Sequence, residues 1–234
     1  DVCSSDLDGF NKLITRLSSL SLRMIGYQMG YQMLDFPCFP GKLDNLQKLE
    51  LRRFVIREEQ AMQGLTRLTE LSLSYSDFIL GLKSIWSMHH LKRLTLDAPH
   101  TPPHAHHAFV ELNHQSFPEL RRLKFAILFH VSEWIGLVSG LFKLEKLDLE
   151  FFPGYKMKTE DLLQLEKLKN LRDLSISGWI APETTNWSLH RELWIQLEDL
   201  TIMRNLFKHE DCFFLSDLKT LAPHLKISFF QCRR

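Results

Sequence analysis

Cysteine is scarce in this chain, and its placement excludes more than its number. Only Cys3, Cys38, Cys212 and Cys232 occur among 234 residues. They form no C-x-x-C pair and no cluster at either end, so no zinc ribbon or disulfide-stapled framework is in view, and reduced thiols in an intracellular setting are expected. An excess of charge of either sign is missing as well. The 29 Lys and Arg oppose 28 Asp and Glu, for a net charge of +1, which excludes a design for binding bulk polyanions, and no nucleic-acid partner is expected. No apolar run approaches the ~18–20 residues of a membrane helix, so no membrane partner is expected either. A phosphate-cradling glycine loop, a G-x-S-x-G elbow and an H-E-x-x-H pair are all absent. No catalytic residue, enzyme activity or cofactor is therefore assigned. The stretch His209-Glu210-Asp211-Cys212 has only the composition of a catalytic set. At a helix start its acids suit the dipole, and Cys212 is expected to pack inward.

What the chain has in abundance is leucine at a fixed spacing. The pattern reads Leu17-Leu20-Leu22, Leu46-Leu49-Leu51, Leu68-Leu71-Leu73 and Leu91-Leu94-Leu96. It continues as Leu120-Leu123-Phe125, Leu144-Leu147-Leu149, Leu171-Leu174-Ile176 and Leu197-Leu200-Ile202, with a degenerate ninth copy at Leu225-Ile227. Successive middle leucines, from Leu20 to Leu225, lie 22 to 29 residues apart. Self-similarity at this period resembles the leucine-rich repeat superfamily, one short strand and a return segment per coil. The implied architecture is an α/β solenoid: a curved horseshoe of about nine coils, with a parallel sheet on the concave face and helices on the convex face. Residues 8–234 read as one such domain, truncated at its N-terminus. Asp1–Leu7 matches the in-frame translation of a common sequencing adapter and is read as a scar. The tandem Gly26-Tyr27-Gln28-Met29 and Gly30-Tyr31-Gln32-Met33 reads as a duplication that lengthens the first interval.

Alternation of side chains along a strand turns the repeat into a surface. The leucines point into the coil, and the residues between them form three columns on the concave face. The first runs Ser19, Lys48, Glu70, Arg93, Arg122, Lys146, Asp173, Asp199, His224. The second runs Ser21, Glu50, Ser72, Thr95, Lys124, Asp148, Ser175, Thr201, Lys226, and the third Arg23, Arg52, Ser74, Asp97, Ala126, Glu150, Ser177, Met203, Ser228. Basic residues Lys48, Arg52, Arg53, Arg93, Arg122 and Lys124 dominate the first half, and acidic Asp148, Glu150, Asp173 and Asp199 the second. Tyr75, Ile127, Phe151 and Phe229 stand at strand ends as candidate apolar anchors. Together with Met203 these residues are expected to hold another protein, the basic half facing acids and the acidic half facing bases.

The return segments carry helical spacing at Ala61–Leu65, Ile85–Met88, Trp134–Leu141, Leu189–Ile195 and Phe213–Leu221. Thr159 is expected to cap a further helix whose first turn holds Glu160 and Asp161. The five tryptophans fall in or beside these segments, where burial is expected. Three residues after the last strand leucine, where many such repeats carry Asn or Cys, only Asn205 conforms; Phe54, Phe152 and Trp179 are among the apolar exceptions. A separate signal is the histidine run His100, His104, His106 and His107. Imidazoles at this density are weak candidates for a metal site, but Pro99, Pro102 and Pro103 interrupt the run, and a polar insertion is the simpler reading.

Two finer resemblances suggest different functions. Met157-Lys158-Thr159-Glu160-Asp161-Leu162-Leu163-Gln164-Leu165-Glu166-Lys167-Leu168-Lys169-Asn170-Leu171-Arg172-Asp173-Leu174-Ser175-Ile176 resembles the repeats of eukaryotic F-box proteins, as does Leu65–Ser74. That resemblance implies substrate recognition for a ubiquitin ligase, with ligase subunits bound through a missing N-terminal domain. Ser116-Phe117-Pro118-Glu119-Leu120-Arg121-Arg122-Leu123 is instead similar to the sensor repeats of nucleotide-binding immune receptors.

Overall fold

A computed structural model describes residues 16–23, 34–35, 43–52, 54–55, 65–74, 85, 88–97, 115–127, 131–156, 158–180, 190–203 and 212–230. The chain divides into two compact units, residues 1–111 with 115–119, and residues 112–114 with 120–234. The first unit holds β1 (Ser19–Arg23), β2 (Leu34–Asp35), β3 (Lys48–Arg52), β4 (Phe54–Val55), β5 (Glu70–Ser74) and β6 (Arg93–Asp97). Strands β1, β3, β5 and β6 pair in parallel in that order, and the short β2 and β4 form a ladder of their own. The second unit alternates strand and helix: β7 (Arg122–Ile127), α1 (Val131–Val138), β8 (Lys146–Lys156), α2 (Thr159–Leu165), β9 (Asp173–Ile180), α3 (Arg191–Gln196), β10 (Asp199–Met203), α4 (Cys212–Leu221) and β11 (Lys226–Phe230). Its five strands pair in parallel in chain order. The predicted helical returns at 134–141, 159–168, 189–195 and 213–221 correspond to α1–α4. Those at 61–65 and 85–88 lie largely outside the described residues, as does the tandem duplication.

The leucines explain the strands. Leu49, Leu51, Leu71, Leu73, Leu94, Leu96, Leu123, Leu147, Leu149, Leu174 and Leu200 are all at most 2% exposed. Each contributes about 1.5–3 kcal/mol by leaving water. Successive strands place them in line, Leu123 beside Leu147 and Leu147 beside Leu174. In six coils an apolar residue three positions before the motif leads into a tight turn. The N–H of Leu46 donates to the carbonyl of Leu43, Leu68 to Leu65, Leu91 to Met88, Leu144 to Leu141, Leu171 to Leu168 and Leu225 to Ala222, at 2.9–3.1 Å. Both ends of each turn are buried, and the two residues between them are exposed in nearly every case. Polar pairs such as Asp44-Asn45 and Thr66-Arg67 therefore sit at the corners.

A second bond pattern joins successive coils within each unit. The Ser18 carbonyl accepts from the N–H groups of both Gln47 and Lys48, at 2.8 and 3.0 Å. Gln47 accepts in the same way from Thr69 and Glu70, Thr69 from Lys92 and Arg93, Arg121 from Glu145 and Lys146, Glu145 from Arg172 and Asp173, and Arg172 from Glu198 and Asp199. One carbonyl thus satisfies two backbone donors at the entry of every such strand. In the last coil the equivalent Leu225 carbonyl accepts instead from the Lys219 ammonium of α4, 3.1 Å away.

The helices close the coils from behind. Trp134, Ile135 and Val138 of α1 are buried, and the Trp134 ring packs on Phe125 of β7 with centroids 4.5 Å apart and planes tilted 49°. Leu162 and Leu165 of α2, Leu193 and Trp194 of α3 and Leu218 of α4 are buried in turn. The expected Thr159 cap is not the observed one. Lys158, in extended conformation, is the N-cap of α2, and the Asp161 carboxylate accepts its N–H at 2.8 Å. Among the described residues no helix is long and apolar enough to cross a membrane. In α1, a Cβ added at Gly136 would meet nothing within 4 Å. Gly136→Ala is expected to raise stability by about 0.5–1 kcal/mol through a less flexible unfolded chain, seen as a higher urea midpoint.

Within the second unit the β8–β9 ladder is in register from Lys146↔Asp173 to Glu150↔Ser177, then resumes at Tyr155↔Trp179. The residues between Glu150 and Tyr155 therefore stand against Gly178 alone. Gly178 is buried with φ of 79°, in the left-handed region that costs a side chain dear.

Candidate interaction face

The face of the sheet turned away from the buried leucines carries the predicted columns, and the ladders fix them. In the second unit Arg122, Lys146, Asp173, Asp199 and Lys226 form one row, Lys124, Asp148, Ser175, Thr201 and Ser228 the next, and Ala126, Glu150, Ser177, Met203 and Phe230 the third. In the first unit Lys48, Glu70 and Arg93 share a row, as do Glu50, Ser72 and Thr95, and Arg52, Ser74 and Asp97. Arg53 and Tyr75 lie outside the described residues, and so do His100, His104, His106 and His107. Among the described residues no group of three or more His, Cys, Asp or Glu is placed to hold a metal ion.

Electrostatically the two units differ. Glu70 stands between two cations of its row, 3.8 Å from Lys48 and 3.0 Å from Arg93. Two of the predicted basic contacts are thereby tied to one carboxylate, a pairing that the column order alone did not reveal. In the second unit Lys146 lies 3.9 Å from Asp173, and all these pairs are largely exposed, worth about 0–1 kcal/mol each. Arg122 and Lys124 are exposed and close no ion pair among the described residues. At the entry edge of the strands a further series alternates in sign, with Arg121 2.6 Å from Glu145 and Arg172 3.9 Å from Glu198.

Asp148 sits in the middle of this field. Burial pushes its carboxyl above the usual carboxylate range, the nearby Asp173 adds to the rise, and Lys146, Lys124 and Arg122 oppose it. A carboxyl that holds its proton more tightly when folded favours the folded state below the unfolded value, and this advantage is lost as pH rises through the folded value. Asp148→Asn is therefore expected to raise the melting temperature at pH 7, with the gap closing below about pH 4, where the unfolded carboxyl is also protonated. Thermal melts across that range check the sign.

One predicted site residue requires correction. Phe151 is 3% exposed, because it shares the parity of Leu147 and Leu149 and therefore turns toward the core; it is not a surface anchor. Ile127 is its ladder partner, and the Ile127 side chain lies outside the described part of the structure. The ninth copy shifts by two residues. The columns placed His224, Lys226 and Ser228 on the face, whereas the ladder sets Asp199 against Lys226, Thr201 against Ser228 and Met203 against Phe230. One residue fewer separates Leu225 from its strand than in the other coils, so Ile227 takes the middle position. Phe229 then falls on the inward parity, although it stays 41% exposed, and Phe230 joins the outward face at 56%. The alternation Leu225-Ile227-Phe229 against Lys226-Ser228-Phe230 was the available signal. His224 leaves the columns and donates through Nε2 to the Leu197 carbonyl, 3.1 Å away.

Sequence gave no sign of one buried polar pair. His190 is fully buried with Nδ1 3.0 Å from Glu166 Oε1, and its Nε2 has no partner among the described residues. It joins the end of α2 to the start of α3, away from the columns.

The strand–turn–helix repeat with its inward leucines is a leucine-rich repeat fold. No family model matches the sequence, and no curated protein matches it. Among solved structures it is similar to internalin C2 of Listeria monocytogenes, at 19% identity over 100% of this chain and 77% of the other, with a TM-score of 0.42. It is likewise similar to a second internalin of that organism, inlF, at 15% identity over 96% and 84% with a TM-score of 0.43. A chain of the mouse RP105/MD-1 complex matches at 16% identity over 82% and 35%, also at 0.43.

Proposed function

We propose that this chain is a protein-binding repeat scaffold with a binding rather than a catalytic role, serving inside the cell as the substrate-recognition part of an F-box-type ubiquitin-ligase receptor. The observation that carries the binding role is the outward face of the second unit. There, charged and small polar side chains are held in three rows by backbone ladders while the leucines are turned away. A backbone held in this way has little further freedom to lose on meeting a complementary surface, so the ordering cost falls on the side chains. The ligase role is supported by the resemblance of the coil over 158–176, which folds as α2, a tight turn and the start of β9. The similarity of Ser116–Leu123 to immune-receptor repeats supports a second reading, a sensor region, in which the turn at Phe117 and Leu120 leads into β7.

The experiment is to express the protein from its full transcript and ask whether the adaptor subunit of a cullin-type ligase co-purifies in stoichiometric amount. Association that survives Arg122→Glu with Lys124→Glu, while a bound protein ceases to be ubiquitinated, is the expected result. Absence of the adaptor would refute the ligase role, and an upstream P-loop ATPase module would favour the sensor reading.

A further inference from the structure

The outward face of the second unit is unequal at its two ends. Arg122 and Lys124 stand two residues apart on β7, so they leave the same face ~7 Å from one another. Both are exposed without an ion pair among the described residues. At the opposite end the third row finishes in Met203 and Phe230, ladder neighbours, of which Phe230 is 56% exposed. The floor between them is low. Ser175 and Ser177 are 8% and 5% exposed, too small to rise above their neighbours. From β7 to β11 there are four strand spacings of ~4.8 Å, roughly 19 Å, the reach of about six residues of extended chain. Asp173 and Asp199 lie side by side in the first row, and like charges so placed repel a third. An acidic ligand group is therefore kept to the β7 end.

We propose that this face binds an extended segment of another protein that carries two neighbouring carboxylates at one end and an aromatic or long aliphatic side chain about six residues away. The carboxylates meet Arg122 and Lys124, and the apolar side chain lies on Met203 and Phe230. Charge complementarity selects this occupant: Arg122 and Lys124 are exposed and close no ion pair among the described residues, their neighbour Asp148 is half-buried, and a carboxylate pair on the ligand meets both cations at the surface. The inference rests on reading the face as a binding surface.

Panning a random dodecapeptide phage library on the whole chain, then measuring the enriched peptides by fluorescence anisotropy, tests it. Enriched peptides should carry two acidic residues at that distance from an apolar one. Arg122→Glu with Lys124→Glu should weaken them about tenfold, and exchanging their acids for Lys should restore binding to that variant. Added salt should weaken the wild-type complex. All substituted positions are on the surface, and circular dichroism verifies that the variants are folded. Peptides lost with Phe230→Ala but lacking acids, and indifferent to the Arg122 and Lys124 reversal, would overturn this inference and leave the binding reading in place. Peptides indifferent to every substitution on the face, or no enrichment, would overturn both.

Discussion

Leu147→Ala is expected to cost about 2–5 kcal/mol of unfolding free energy, the largest effect of any single change considered for this chain. Leu147 is fully buried and stands between Leu123 on one side and Leu174 on the other. Truncation removes apolar contact and also leaves a cavity. Collapse of that cavity would need β8 to move, and around Leu147 β8 is bonded to β7 on one side and β9 on the other, so little relaxation is available. The loss is a large fraction of the stability of an ordinary domain, ~5–15 kcal/mol. Urea unfolding followed by circular dichroism measures it. Leu147→Met, which conserves volume, should cost less than about 1.5 kcal/mol. Leu20→Ala should cost less as well, since Leu20 in β1 is only partly buried. A loss at Leu147 no larger than at Leu20 would refute the register derived from the leucine pattern.

The second large effect is expected at Gly178. A β-branched residue there must adopt a φ of 79°, which crowds its Cβ against the backbone. It must do so at a buried position where β8 and β9 change register. Gly178→Val is expected to destabilise by about 1–3 kcal/mol from backbone strain alone, with any crowding added to that. Gly178→Asn, which tolerates the left-handed region better, should recover part of the loss. Equal unfolding midpoints for wild type and Gly178→Val would mean that this backbone conformation is not held in solution.

The strands were legible because a buried leucine every second residue leaves few alternatives, and the columns followed from parity alone. Eight copies therefore fell into place, while the ninth did not, since one missing residue before β11 shifts the pairing without altering the composition. Phe151 shows the converse. Its parity with Leu147 and Leu149 pointed inward, and placing it at a strand end as an anchor set that period aside. Glu70 could not be recognised as the shared partner of Lys48 and Arg93, because such a pairing depends on side-chain reach between coils. Gly178 was silent for a related reason: an irregular ladder leaves no period to read. The exposed cations Arg122 and Lys124 were named from sequence, but that they close no ion pair among the described residues emerges only when their neighbours are in place.

The carbonyl that receives two N–H groups from the following coil has a consequence for how such a chain tolerates change in length. It fixes where each strand begins relative to the one before, and the tight turn fixes how the chain arrives there. Neither constrains what happens behind. Intervals between middle leucines can thus vary from 22 to 29 residues while the rows within each unit keep their alignment. A loop lengthened by several residues on the helical side should leave the spacing of Arg122, Lys146, Asp173 and Asp199 unaltered, whereas a single residue inserted between turn and strand would rewrite the row. The molecule behaves as a ruled page, with its lines held at one margin and its other margin ragged.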